Sequence, residues 1–466
     1  MNATMSEWNS PRPTHVRYTV MSLLCGLAFV LYIDRICIGQ AASVMMKDLG
    51  ISKSHWGWVG VAFQIAYAIF EPTTGHWGDR YGSRRVLIRI VLWWSVFTAL
   101  TGAVWKFSWQ VTSGLAITSF MLLLAIRFLF GAGEAGALPN AARVISIWFP
   151  PGRRGPAQAL ISACAQIGGM TAPWVTAFFI SHPSIGWRLS FAIFGALGLV
   201  WIAIFWWLFR DDPKLHPSVN AGELAYIALG RDESSKGQAA HLTIPWGNVL
   251  TNQNIYLLGI ANACSSFYSY MLFSWFPTYL KQGRGLEESQ SGQLGSLPYL
   301  FGATGVLLGG YMGDYLTRRL GSRRLALGLM GTVGLGIAGL LVGSSVYADN
   351  PTVAVLLCSV GYFFAYIQLA AWWAAMSDVG GRNLGAMFGL CNMIGLSGGA
   401  ISQVFLGYYV DYNESLKLSG RAAWDPAFQI YAAVLVVGGF MWLFIDPRKQ
   451  VTATHAEPLV QGTQAR

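Results

Sequence analysis

An aspartate and an arginine, Asp34 and Arg35, stand side by side inside the apolar run "VMSLLCGLAFVLYIDRICIGQAASVMM". Three more ionisable residues have similar surroundings: Glu71, and Arg127 with Glu134 in "AIRFLFGAGEAGALPNA". Each such side chain costs roughly 2.5–3.5 kcal/mol at the centre of a membrane helix, so the five are expected to face a cavity or one another. Arg127 and Glu134 lie seven residues apart, which is two helical turns, or about 10.5 Å along one face. A guanidinium in a low-dielectric cavity stays charged and offers a planar fork that fits a carboxylate, as an organic-anion site requires. A carboxyl beside that arginine binds its proton more tightly once an anion has taken the guanidinium, and linkage makes the coupling reciprocal. Asp34 and Glu134 are therefore the expected proton-coupling residues. The plainer alternative is that the charges glue helices together without any ligand, and it applies most to Glu71.

Polar and aromatic residues recur at helical spacing around these charges. Tyr32 lies three residues before Arg35, Gln64 lies three before Tyr67, and Gln166 falls within "ISACAQIGGMTAPW". The second half is less charged in its apolar runs and offers Tyr268, Tyr270, Gln368, Trp372, Trp373 and Asn392. Packing is the stronger reading for the tryptophans. Asn392, deep in an apolar run, needs a polar partner.

The elements that position these residues follow from composition. The chain has 466 residues, 54% hydrophobic and 11% charged, with a mean hydropathy of +0.45, a polytopic membrane composition. Long unbroken apolar runs disfavour a β-barrel, and 54 glycines fit close helix packing. We read twelve helices, at 18–46, 54–78, 84–105, 112–140, 155–181, 187–209, 253–281, 289–316, 322–346, 352–377, 381–410 and 426–446. The six cysteines carry no ligand-type spacing and read as small packing residues. The first residues lack the apolar stretch of a removable signal peptide. With the N-terminus cytoplasmic, most Lys and Arg fall on that side, so the net charge of +10 reflects topology and not nucleic acid.

A repeat divides the chain. "GHWGDRYGSRR" follows the second helix and "GGYMGDYLTRRLGSRR" the eighth; "WLFRDDPK" ends the sixth helix and "WLFIDPRK" the twelfth. Asp79 to Asp314, and Asp212 to Asp446, span almost the same interval, close to half the chain. The pattern predicts an all-α membrane protein with twelve transmembrane helices in two pseudo-symmetric six-helix bundles, a midplane site lying between them. The bundles are expected at 1–210 and 251–450, with a polar cytoplasmic loop at 211–250 and a cytoplasmic tail at 451–466. Within the loop, "SVNAGELAYIAL" can form a short amphipathic surface helix, and the loop reads as a tether without its own core.

The loop "GHWGDRYGSRR" resembles the cytoplasmic signature of the major facilitator superfamily, G-x-x-x-D-R-x-G-R-R, with Ser83 where a basic residue is common. The resemblance covers essentially the whole chain and implies the major facilitator fold. It gives a conformational role to Gly75, Asp79, Arg80, Gly82 and Asp314. "YIDR", "RFLFGAGEAGALPNAARVISIWFP", "SWFPTYL" and "GLCNMIGLSGGAISQ" further resemble the anion:cation symporter family. That family includes bacterial carriers of sugar acids and other organic acids. This likeness implies proton-coupled uptake of a small carboxylate, with Asp34 and Glu134 coupling protons. Arg35 and Arg127 would recognise the carboxylate, with Tyr32, Tyr67, Gln166 and Asn392 as contacts. "ICIGQA" departs from the family's usual continuation after "YIDR", and Ile36 and Cys37 are expected to make the pocket's edge more apolar.

Neither a Walker-type phosphate loop nor a metal-ligand cluster is evident, so no cofactor, metal or primary pumping is expected. Without a nucleophile–base arrangement, no catalytic residue and no enzyme is expected. The expected partners are the carboxylate, protons and the lipid bilayer of the inner cell membrane, with a monomeric chain and both termini cytoplasmic. The rival readings are an anion exchanger or uniporter on the same fold, and a non-transporting sensor.

Overall fold

The computed structural model describes residues 12–112, 115–230, 246–380 and 384–446. The first half contains α1 (Val16–Leu49), α2 (Lys53–Tyr81), α3 (Ser83–Gly102), a hairpin of β1 (Ser108–Thr112) and β2 (Leu115–Thr118), α4 (Ser119–Glu134), α5 (Ala137–Trp148), α6 (Pro151–Ser181) and α7 (Gly186–Leu208). Two short helices, α8 (Ala221–Ala228) and α9 (Trp246–Thr251), lie in the connection. The second half contains α10 (Gln253–Ser274), α11 (Phe276–Thr278) with a π-helical turn at Tyr279–Gly283, α12 (Glu288–Leu320), α13 (Arg323–Ser344), α14 (Pro351–Gly380), α15 (Leu384–Ser415) and α16 (Arg421–Met441).

With α4 and α5 counted as one broken span and α11 as the continuation of α10, twelve helices span the membrane, six in each half. Among the described residues, nine spans are apolar and long enough to cross by composition alone; α2, α10 and α12 are not among them. These three face the other bundle, α2 against α15, α10 against α1 and α12 against α6. Helices that line a bundle interface and its cavity are shielded from lipid and tolerate the polar residues that lower their hydropathy.

The fourth span differs from the helix expected at 112–140. Ser108–Thr112 and Leu115–Thr118 pair as antiparallel strands, with Ser108 opposite Thr118, and helix begins only at Ser119. The span then breaks at Gly136, whose φ of 86° is left-handed and suits glycine. A Cβ there would also collide with Thr74 of α2. Asn140 ties the break together, its Nδ2 donating to the Gly136 carbonyl at 2.8 Å and the Thr74 carbonyl at 3.2 Å.

The two repeated sequence anchors meet in space. In the first half the Arg84 amide donates to Asp211 at 2.9 Å, and in the second half Arg324 pairs with Asp446 at 3.4 Å. Asp212, next to Asp211, caps the turn at Pro213. Gly82, with φ 84°, turns the chain between α2 and α3. Arg80 and Asp314 are exposed, while the surroundings of Gly75 and the side chain of Asp79 lie outside the described residues. So do the tail at 451–466 and the first residues of the chain.

The connection docks on the first bundle. Glu223 of α8 is fully buried, accepting from Arg17 Nη1 at 2.6 Å and from the His15 amide at 3.0 Å. The short surface helix expected within "SVNAGELAYIAL" is α8, but the pairing of Glu223 was not anticipated, because a glutamate in a polar loop gives no sign that it will be covered.

Candidate functional site

The face at which α1 begins and α16 ends is called here the terminal face. At the opposite face the bundles are pressed together. A Cβ on Gly39 of α1 would collide with the Phe273 carbonyl of α10, so glycine permits the backbones to touch. Around that contact, Lys281 Nζ donates to the Gln40 carbonyl at 2.8 Å and pairs with Glu288 at 2.9 Å, while Gln40 Nε2 donates to Glu288 at 2.6 Å. Asp411 of α15 accepts from the Ser54 amide of α2 at 2.8 Å, and Lys53 pairs with Glu414 at 2.7 Å.

Toward the terminal face the bundles separate around a cavity of about 650 Å³, within the size range of small-ligand sites. Helical spacing aims the lining. Tyr32 and Arg35 come from α1, Gln64, Tyr67 and Glu71 from one face of α2, and Gln158, Ser162 and Gln166 from successive turns of α6. The second half supplies Asn262, Ser265, Ser266, Ser269 and Tyr270 from α10, Tyr366, Trp372 and Trp373 from α14, and Asn392 from α15. Gln166 Nε2 donates across the bundle interface to Tyr366 Oη at 2.7 Å, and Tyr362 donates to the same oxygen at 2.8 Å.

Among the described residues Arg35 is the one basic side chain lining this cavity. Its Nε donates to Glu134 Oε1 at 2.8 Å, and its Nη2 makes a closer contact with the same oxygen. The rings of Tyr67, Phe63 and Tyr32 stand 5.1, 5.3 and 5.5 Å from the guanidinium carbon. Glu134 is fully buried behind Arg35, and its second oxygen has no hydrogen bond. The cavity therefore contains a cation already held by a carboxylate, with the aromatic rings restricting how far it can swing.

The neighbouring charges lie deeper. Arg127 is buried, with its guanidinium 4.3 Å from the Phe130 ring and 5.4 Å from the Phe63 ring. It shares with Arg35 a separate chamber of about 30 Å³ on the opposite-face side, closed by Gln403, Tyr270 and Phe273 of the second bundle. Asp34 points off the other side of α1, facing Trp94 and Thr98 of α3, within electrostatic reach of Arg127 and Glu134. Both of its carboxylate oxygens are buried without a hydrogen bond.

Of the residues expected at the site, Tyr32, Arg35, Tyr67, Gln166 and Asn392 line the cavity together, Arg127 lines the adjoining chamber, Glu134 is buried behind Arg35, and Asp34 faces α3 on the other side of α1. The shared helix face of Arg127 and Glu134 does not make them partners, because Glu134 is taken by Arg35 of α1. Ile36 and Cys37 do not edge the pocket: Ile36 is buried, and Cys37 donates to the Asp34 carbonyl at 3.4 Å. Sequence reasoning missed Tyr366, Asn262 and the α10 serines. The four-residue spacing of Asn262, Ser266 and Tyr270 was the available signal. Tyr268 does not reach the cavity and donates to the Cys358 carbonyl at 2.8 Å.

Comparison with known proteins agrees with this architecture. Residues 24–403 match the Major Facilitator Superfamily. A probable sulfoacetate transporter of Cupriavidus necator is 31% identical over 431 residues, covering 92% of this chain and 94% of that protein. A probable galactarate/D-glucarate transporter of Bacillus subtilis is 31% identical over 454 residues, covering 94% and 96%. Among solved structures, a bacterial homologue of the human lysosomal transporter Spinster, inward-facing and unoccupied, superposes with a TM-score of 0.71 at 21% identity, covering 92% of this chain and 95% of that one. The D-xylose–proton symporter superposes with a TM-score of 0.67 at 16% identity, covering 93% and 99%. The duplicated bundles, the cavity between them and these matches lead to one conclusion: the chain belongs to the Major Facilitator Superfamily and is a membrane transporter, not an enzyme.

Proposed function

We propose that the protein imports a small organic anion together with protons, by alternating access of a midplane site to the two sides of the cell membrane. The observation that carries this reading is the Arg35–Glu134 ion pair in the cavity wall. An anion entering the cavity competes with Glu134 for Arg35. Once displaced, Glu134 loses its compensating charge in a low-dielectric setting and takes up a proton. Anion and proton then bind cooperatively. Asp34, buried without a hydrogen bond, is the second proton site. Arg127 adds positive potential from behind Phe63 and joins the anion's coordination as the bundles move. Tyr32, Tyr67, Gln166 and Asn392 are the contacts for the rest of the ligand. The carboxylate-bearing compounds named for the two bacterial relatives support an organic anion as cargo.

With the termini cytoplasmic, as the distribution of Lys and Arg favours, the structure is open to the cytoplasm, and the clasps at Lys281 and Lys53 hold the outer side shut. Gly75, Asp79 and Arg80 near the end of α2, Gly82 just after it and Asp314 near the end of α12 are the positions that rearrange at the terminal face. The test is proton movement in proteoliposomes loaded with a pH-sensitive dye. Under an imposed substrate gradient the lumen should acidify as the anion enters. Anion uptake that neither acidifies the lumen nor responds to a pH gradient overturns symport in favour of exchange or uniport.

A further inference from the structure

Glu71 is the cavity carboxylate that the coupling scheme leaves unused. It lies on α2 one turn beyond Tyr67 toward the terminal face and lines the cavity. Both of its partners donate to it: Tyr67 Oη to Oε1 at 3.2 Å, and Asn392 Nδ2, from the other bundle, to Oε2 at 3.5 Å. A carboxylate has about four acceptor positions, so after these two bonds acceptor capacity remains. No ion pair joins Glu71 to a Lys or Arg among the described residues, and the one cation lining the cavity, Arg35, is held by Glu134. Apart from Arg35, the rest of the described cavity lining is uncharged, and on the second bundle it includes Asn262, Ser265, Ser266 and Ser269 of α10.

The cavity therefore has a cationic end and an acidic end. Tyr67 has its ring beside Arg35, and Glu71 lies four residues on, about 6 Å along the helix axis. A two- to six-carbon anion anchored at Arg35 presents its far end to Glu71. A second negative charge there would meet the carboxylate of Glu71 and be repelled by it. A hydroxyl or ammonium group there would donate into the free acceptor positions.

Resting on the anion-import reading above, we propose that Glu71 is the specificity-determining residue for the remote end of the substrate. It selects monoanions that carry a hydrogen-bond donor at that end and rejects dianions. The site then differs in preference from those of relatives named for galactarate, glucarate and sulfoacetate.

Two ligand pairs differing only at the remote group test this by calorimetry on the purified full-length protein: gluconate against glucarate, and isethionate against sulfoacetate. In the native protein the donor-bearing member of each pair should bind at least about 10-fold more tightly than its dianion. Glu71→Gln keeps the shape and removes the charge, and should shrink that ratio by about 10-fold, chiefly through stronger dianion binding. The ratio is measured within one preparation, so partial loss of folded protein cancels. Glu71→Asp should keep the preference for the donor-bearing member. Binding lost in Arg35→Ala but an unchanged ratio in Glu71→Gln overturns the role of Glu71 alone. Binding that survives Arg35→Ala overturns the anion-import reading itself, and failure of every ligand to bind the native protein overturns both.

Discussion

Replacing Glu134 with Gln should strengthen anion binding while abolishing proton-driven accumulation. In the native protein an anion reaches Arg35 only by displacing Glu134, whose Oε1 takes two contacts from the guanidinium, one of them at 2.8 Å. A hydrogen bond to a charged group has a net worth of roughly 1.5–3 kcal/mol, and a neutral acceptor provides about half of that. Two contacts each weakened by about 1 kcal/mol lower the cost of displacement by about 2 kcal/mol, an affinity gain of roughly 30-fold. The gain depends on pH in a defined direction. Protonating Glu134 also frees Arg35, so native binding strengthens as pH falls, and the advantage of Glu134→Gln shrinks toward acid. Calorimetry from pH 6 to pH 8 with the tightest ligand of the two pairs above measures both effects. Counterflow in proteoliposomes should persist while accumulation against a gradient is lost. Weaker binding by the variant at every pH, or a pH slope as steep as the native one, refutes the competition between substrate and Glu134.

Two other outcomes follow from the geometry. Arg127→Ala removes the buried cation behind Phe63 and should weaken anion binding by about 10-fold or more; native affinity in calorimetry would take Arg127 out of the site. Lys281→Ala removes the bonds to Gln40 and Glu288 that hold the bundles together at the opposite face. At about 1–3 kcal/mol, that loss should raise the population open on this side by roughly 5- to 100-fold. A cysteine placed at Ser274, in the chamber beneath the clasp, then reacts faster with an impermeant maleimide, and an unchanged labelling rate would rule out a latch at Lys281.

The spans, their duplication and the midplane charges were legible in the sequence because each depends on local chain chemistry. Apolar length decides insertion into lipid, and a duplicated "WLF…D" and "G…D…G-S-R-R" persist as strings. A charge in a lipid-facing run is conspicuous wherever it finally points. The apolar pattern marked α2, α10 and α12 as spans as well, although their hydropathy is lower because their polar residues belong to the bundle interface. The strand pair Ser108–Thr112 and Leu115–Thr118 was missed because a short β-rich run beside an apolar helix is read most simply as more helix.

The partners of these charges were decided only in three dimensions. Seven-residue spacing put Arg127 and Glu134 on one face of α4, yet Glu134 reaches Arg35, 99 residues earlier in the chain. Asp34 and Arg35 are adjacent in sequence, but successive helical residues point about 100° apart, so one faces α3 and the other the cavity. Glu71 was least distinctive as a letter in the sequence. Its importance came from Asn392, 321 residues away, and from its place in the lining of the cavity. The sequence by itself determined that this protein crosses the membrane in two related halves with charges between them. The tertiary structure decided which arginine faces the cavity, which carboxylate holds it and which carboxylate remains to meet a ligand. Those pairings depend on contacts between helices far apart in the chain, and helical periodicity carries no record of them.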